Sequence, residues 1–141
     1  MRATILLALG LALVPAGTGC GGSKRTPGDV VRAWSAALLA DDNERAASLF
    51  APNAAIVQGG RLTYLRTHAE AVAWNAHLPC SGRVVSLKEN GSSATATFRL
   101  GDRKSRPCSD PAGAEAIAVF VVEHSKIILW DQIGSQLRVV H

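Results

Sequence analysis

The chain has 141 residues, 48% of them apolar and 18% charged, and a formal net charge of +4. That length supports one domain with a core of its own, plus whatever precedes it, and the composition fits a globular chain. The one dense basic cluster, Arg103, Lys104 and Arg106 in "GDRKSRPC", has no interleaved aromatics; it reads as a solvated loop and excludes a nucleic-acid partner.

The chain opens "MRATILLALGLALVPAGTGC", with one Arg, an apolar run and then small residues ending at Cys20. A run of about a dozen apolar residues is too short for a membrane-spanning helix of about 20. It has the three regions of an export signal, assigned to residues 1–19. The ending Gly17-Thr18-Gly19-Cys20 resembles a bacterial lipobox, with Gly17 where Leu is usual. The resemblance implies acylation of Cys20 and a membrane anchor in the cell envelope; the alternative is an ordinary secretory signal. Three cysteines are present, so lipid on Cys20 would leave Cys80 and Cys108 free to pair in an oxidising compartment. None has zinc-site spacing, and neither a metal nor a cofactor is expected. Residues 20–26 read as a short tether, and 27–141 as the domain.

Thr26-Pro27-Gly28-Asp29 announces the first helix: an N-cap, a proline at the first turn and an acid at the positive dipole end. Val30, Trp34, Ala37 and Leu38 recur on one helical face. Glu44 to Phe50 reads as a short second helix ended by Pro52 and Asn53, and Ala54 to Gln58 as a modest strand. Gly59-Gly60 reads as a plain turn. Thr67 and Glu70 form a capping box for a third helix that Pro79 stops, with Ala71, Trp74, Asn75 and Leu78 as its buried stripe.

From Arg83 the apolar period becomes two. Asn90-Gly91 signals a type I′ hairpin pairing Val85 with Ala96 and Leu87 with Ala94. That register sets Cys80 opposite about residue 101, a few residues from Cys108, so a disulfide is expected, contributing roughly 3 kcal/mol. Two long strands follow, Glu115–Glu123 and Lys126–Ile133, joined by a loop His124-Ser125-Lys126 that sets Phe120 opposite Trp130. One face carries Ala116, Ala118, Phe120, Val122, Ile128, Trp130 and Gln132; the other carries Ile117, Val119, Val121, Ile127, Leu129 and Asp131. The second face is apolar enough to suggest a homodimer.

Three stretches, "VVRAWSAALLADDNERAASLFAPNAAIV", "RTHAEAVAWNAHL" and "AVFVVEHSKIILWDQI", resemble the nuclear-transport-factor-2-like, or SnoaL-like, superfamily. The resemblance implies an α+β cone: three N-terminal helices packed on a curved mixed, mainly antiparallel sheet. It also implies a cavity that serves isomerases, polyketide cyclases and epoxide hydrolases in some members and binding or scaffolding in others. Hydrolase-like members carry a water-activating Asp two residues beyond the last-hairpin Trp; this chain has Gln132 there, and Asp131 on the opposite face. A glutamine is no general base.

The candidate cavity lining is Trp34, Trp74, Phe98, Phe120, Trp130 and Gln132, and the small side chains Ala94, Ala96, Ala116 and Ala118 leave room for a helix or a ligand. His68 and Tyr64 are the candidate catalytic groups. The leading expectation is an exported, lipid-anchored binding or accessory domain for a small apolar ligand or a protein partner. The alternative is an isomerase, polyketide-cyclase-like or epoxide-hydrolase-like enzyme using the same cavity.

Overall fold

The computed structural model describes residues 23–137; the leader (1–19) and Cys20 lie outside the described residues. The elements run α1 Pro27–Leu39, α2 Asn43–Ser48, β1 Phe50–Gln58, β2 Arg61–Leu65, α3 His68–His77, β3 Ser81–Asn90, β4 Ser93–Gly101, β5 Ala114–Glu123 and β6 Lys126–Leu137. The six strands form one sheet ordered β2-β1-β6-β5-β4-β3, antiparallel except where β1 meets β6. Among the described residues only two helices precede the sheet; α3 is inserted after the β1–β2 hairpin.

Local chemistry accounts for the helices. The Thr26 hydroxyl accepts from the Asp29 N–H at 3.1 Å, and the Asp29 carboxylate accepts from the Thr26 N–H at 3.0 Å. At α3 the Thr67 hydroxyl accepts from the Glu70 N–H, but Glu70 reaches past Thr67 to the Arg66 N–H at 2.7 Å. The second helix stops at Ser48, and Phe50 opens β1, which runs on through Pro52 and Asn53. It can do so because its pairing with β6 breaks between Phe50 and Ala55, where Asn53 takes φ 61° and proline's missing donor costs nothing. Gly59 and Gly60, both at positive φ, make a tight hairpin into β2. That strand escaped sequence reading because Leu65 is its only buried residue.

Two hairpins adjust the expected registers. The β3–β4 turn is Gly91-Ser92, so Leu87 pairs with Ala96 and Glu89 with Ala94. A shift of two residues preserves the faces as far as Ser86, and a bulge at Val85 then takes back one residue and leaves that side chain 42% exposed. The β5–β6 turn has two residues, His124 and Ser125, both at positive φ. Phe120 nevertheless faces Trp130, because Ile128 is an extra, bulged residue. The bulge turns Ile127 to the inner face, where it is fully buried, so Ile127 leaves the expected outer apolar set.

Trp34 stands at the centre of the core, with ring centroids 5.4 Å from Phe120, 5.7 Å from Phe98, 6.3 Å from Trp130 and 6.5 Å from Trp74. Its indole N–H donates to Asn75 Oδ1 at 2.8 Å, and Asn75 Nδ2 donates to the Ala71 carbonyl, so α1 and α3 share one satisfied polar contact inside. Ala94 and Ala96 are fully buried on the inner face, where β4 meets α1.

The basic loop is exposed at Lys104 and Arg106, but Arg103 is not solvated as expected. Arg103 is 3% exposed; its Nε and Nη2 donate to Asp41 Oδ1 at 2.8 and 2.6 Å, Nη2 to Asn43 Oδ1, and Nη1 to the Asn75 carbonyl. Arg106 caps the end of α3 through the Ala76 and Leu78 carbonyls. Sequence offers no sign of this, because Asp41 lies 62 residues away at a helix–helix turn with φ 57°. The disulfide Cys80–Cys108, spanning 28 residues, ties the other half of the same loop to β3.

The Ser105 hydroxyl, then the Arg103 guanidinium, hold the Asp41 carboxyl below its ordinary 3.8. A depressed carboxyl contributes stability that is fully present above its ordinary value and is lost as pH falls through the lower folded value. Arg103→Met, which strands Asp41 and the α3 carbonyls, is expected to lower unfolding free energy at neutral pH by about 3 kcal/mol in urea titrations. Asp41→Asn, tolerated at positive φ, is expected to weaken the acid-side loss of stability that the parent shows.

Candidate functional site

A cavity of about 140 Å³ lies between α1, the segment after α3 and the inner face of the sheet. Trp34 and Leu38 from α1, Leu78, Phe98 and Leu100 of β4, and Trp130 of β6 form its apolar walls. Its floor is Ala116 and Ala118 on β5, whose short side chains leave the space open. Gln132 pairs with Ala118 across the β5–β6 ladder, one inward position beyond Trp130, and so reaches the same space. Parallel pairing of β1 with β6 brings Gln58 alongside, and its amide donates to Gln132 Oε1 at 3.0 Å. Ser81 completes the polar rim; its hydroxyl contacts the Asp102 carbonyl at 2.7 Å. Asp110, exposed and close behind Cys108, stands at the mouth with Oδ2 3.3 Å from Cys80 Sγ.

Of the expected lining, Trp34, Phe98, Trp130 and Gln132 reach the cavity. Phe120 is fully buried against Trp34 and Phe98, and Trp74 packs edge-on against Phe50 and Trp130. Neither is among the cavity-lining residues. Tyr64 is 48% exposed and pairs with Ala55, on the face opposite to buried Ile56. His68 opens α3 with its side chain 57% exposed, and its Nε2 lies 2.7 Å from Glu44 Oε2, a surface pair linking α3 to α2. Asp131 pairs with Val57 and Val119, away from the Trp130 face. Sequence reading did not single out Gln58, Ser81 and Asp110 as lining. Gln58 needs a strand pairing 74 residues apart, and Asp110 becomes visible only once the disulfide has folded its loop back.

Trp130 is 5% exposed, and its buried indole N–H has no acceptor among the described residues. Cys80, Cys108 and Asp110 approach within 4.8 Å, but both sulfurs are joined in the disulfide and neither is a thiolate ligand. The cavity thus offers apolar walls, a pair of amides and one carboxylate.

No family model matches the chain, and no curated protein matches it in sequence. Solved structures do. A nuclear-transport-factor-2-like protein from Cytophaga hutchinsonii superposes with a TM-score of 0.61 at 12% identity, covering 79% of this chain and 91% of that one. A protein of ketosteroid-isomerase-like fold from Catenulispora acidiphila, solved in complex with trimethylamine, gives 0.62 at 16% identity over 78% and 87%. A putative polyketide cyclase from Pseudomonas putida gives 0.57 at 19% identity over 82% and 93%. The fold is nuclear-transport-factor-2-like. Identities this low carry the shape and none of the chemistry.

Ala116→Leu, which adds an apolar branch at the cavity floor, is expected to keep stability within about 1 kcal/mol while filling the space. A cavity of about 150 Å³ accepts benzene. Benzene titration followed by NMR should therefore shift the Trp130 indole signal in the parent and leave it unmoved in Ala116→Leu.

Proposed function

We propose that the chain is an exported, lipid-anchored domain that binds a small, largely apolar ligand and serves as an accessory protein rather than a catalyst. The observation that carries this reading is the cavity itself: its walls are apolar, and the pair at the Asp position of hydrolase-like members is Gln58–Gln132. Two amides exchange no proton at neutral pH, so a hydrolase-type reaction lacks its water-activating acid there. The trimethylamine complex of the Catenulispora protein supports small-ligand binding within this fold.

Export is supported by the disulfide, which suits an oxidising compartment and leaves Cys20 as the odd cysteine. Position also favours the anchor. The described chain enters beside the hairpin turns, where the Arg25 N–H donates to Ser125 Oγ. Gln58 ends β1 and Gln132 lies midway along β6, about 20 Å from that turn at some 3.3 Å per residue. A domain tethered through residues 20–26 therefore holds its cavity away from the bilayer, open to the aqueous compartment.

The outer face supplies a second contact. Ile117, Val119, Val121 and Leu129 are half-buried there, and Leu62 and Tyr64 extend the patch with 54% and 48% exposure. Two copies meeting on this face would bury it.

Cys20→Ser is expected to move the protein from the membrane to the soluble fraction, while mass spectrometry of the parent finds acyl chains on Cys20. An unacylated parent in the soluble fraction would refute the anchor. Sedimentation velocity of the domain is expected to show a dimer that Val119→Lys dissociates; a monomer at tens of micromolar would refute the face-to-face pair.

A further inference from the structure

We infer that the cavity selects small organic cations, of the alkylammonium class, and rejects carboxylates. This rests on the reading that the cavity binds a small ligand, and adds to it the sign of the charge. The chain has 15 Lys and Arg against 11 Asp and Glu, yet none of the described residues that line the cavity is basic. Among the described residues that line it, Asp110 is the single ionisable one, since Cys80 is held in the disulfide. The local sign is therefore opposite to the sign of the whole molecule.

The placement of Asp110 is built rather than incidental. Cys108 is bonded to Cys80, itself part of the cavity wall, and its N–H donates to Asp102 Oδ1 at 2.9 Å. Two residues on, the Asp110 carboxylate comes to rest 3.3 Å from Cys80 Sγ at the mouth. No basic group pairs with it among the described residues. The two arginines that reach Leu78, another wall residue, are already engaged: Arg103 by Asp41 and Asn43, and Arg106 by the Ala76 and Leu78 carbonyls. An unpaired carboxylate beside low-dielectric walls projects its field into the cleft.

The walls suit the same class. The ring faces of Trp34, Phe98 and Trp130 attract alkylated ammonium groups and disfavour a carboxylate above them, with the Trp130 N–H as the one open donor among the three. With a volume of about 140 Å³, the cavity takes a solute of roughly benzene size. Trimethylammonium on a short stem fits that limit, whether as a free amine or as a lipid headgroup.

The test uses three compounds of one shape on the full exported domain: choline, its neutral isostere 3,3-dimethylbutanol, and the anion 3,3-dimethylbutanoate. Titration by calorimetry or NMR is expected to show choline binding roughly tenfold tighter than the alcohol, with the anion weakest. In Asp110→Asn the ratio of choline to alcohol affinity should fall severalfold, with the aromatic walls keeping the remainder. Equal binding of choline and alcohol by the parent, or a ratio unchanged in Asp110→Asn, overturns the inference and leaves the small-ligand reading standing. If none of the three binds, both readings fall. Glycerophosphocholine separates the sources: binding as tight as choline assigns a headgroup, and weaker binding a free amine, each with the cation preference intact.

Discussion

The guanidinium of Arg103, sealed between the α1–α2 turn and the end of α3, is the contact on which the cavity depends. Removing such a group from water costs several kcal/mol, and the cost is met only because all three of its nitrogens find acceptors. Those acceptors belong to two separate segments, Asp41 and Asn43 at the α1–α2 turn and the Asn75 carbonyl in α3, and the guanidinium joins both to the loop that carries it. One side chain thereby fixes where α3 ends relative to α1, and hence where Leu78 and Pro79 stand in the cavity wall. The disulfide then holds the second half of the same loop, so wall and mouth are positioned by different chemistry, one ionic and one covalent.

Bulges decide which side chains the sheet aims inward. Without the extra residue at Ile128, the two-residue turn His124-Ser125 would set Trp130 one place out of step with Phe120. Because strand side chains alternate, that slip would send Trp130 and Gln132 to the outer face and empty the cavity of its polar rim. The bulge at Val85 does similar work at the opposite edge, bringing Val84 opposite Phe98. Curvature and side-chain aim therefore share one cause.

The cavity is divided by chemistry from floor to mouth. Ala116 and Ala118 leave the space, Trp34, Phe98 and Trp130 enclose it, and Gln58, Gln132 and Asp110 supply polarity. The Trp130 N–H is a buried donor without a partner among the described residues, an arrangement usually relieved by water or a ligand. At the rim Gln58 and Gln132 meet as a pair of amides, which neither take nor give a proton at neutral pH.

Much of this was legible in the chain itself. Capping residues at Thr26 and Thr67 mark two helices and period-two patterning marks the last strands, while the pairing of Phe120 with Trp130, expected from a three-residue turn, is delivered by a two-residue turn and the bulge at Ile128. The Cys80–Cys108 bond also follows from local register, because hairpin geometry is set within a few dozen residues. What sequence could not give are contacts between distant segments. Arg103 looks like any loop arginine until Asp41 meets it across 62 residues, and Gln58 is an unremarkable strand end until β1 lies parallel to β6. His68 and Tyr64, chosen for their chemistry, stand outside the cavity because residue type says nothing about which way a helix end or an edge strand faces. Local propensity and periodicity fixed the elements; only tertiary packing decided which charges are buried, which amides meet, and that one carboxylate stands at the mouth.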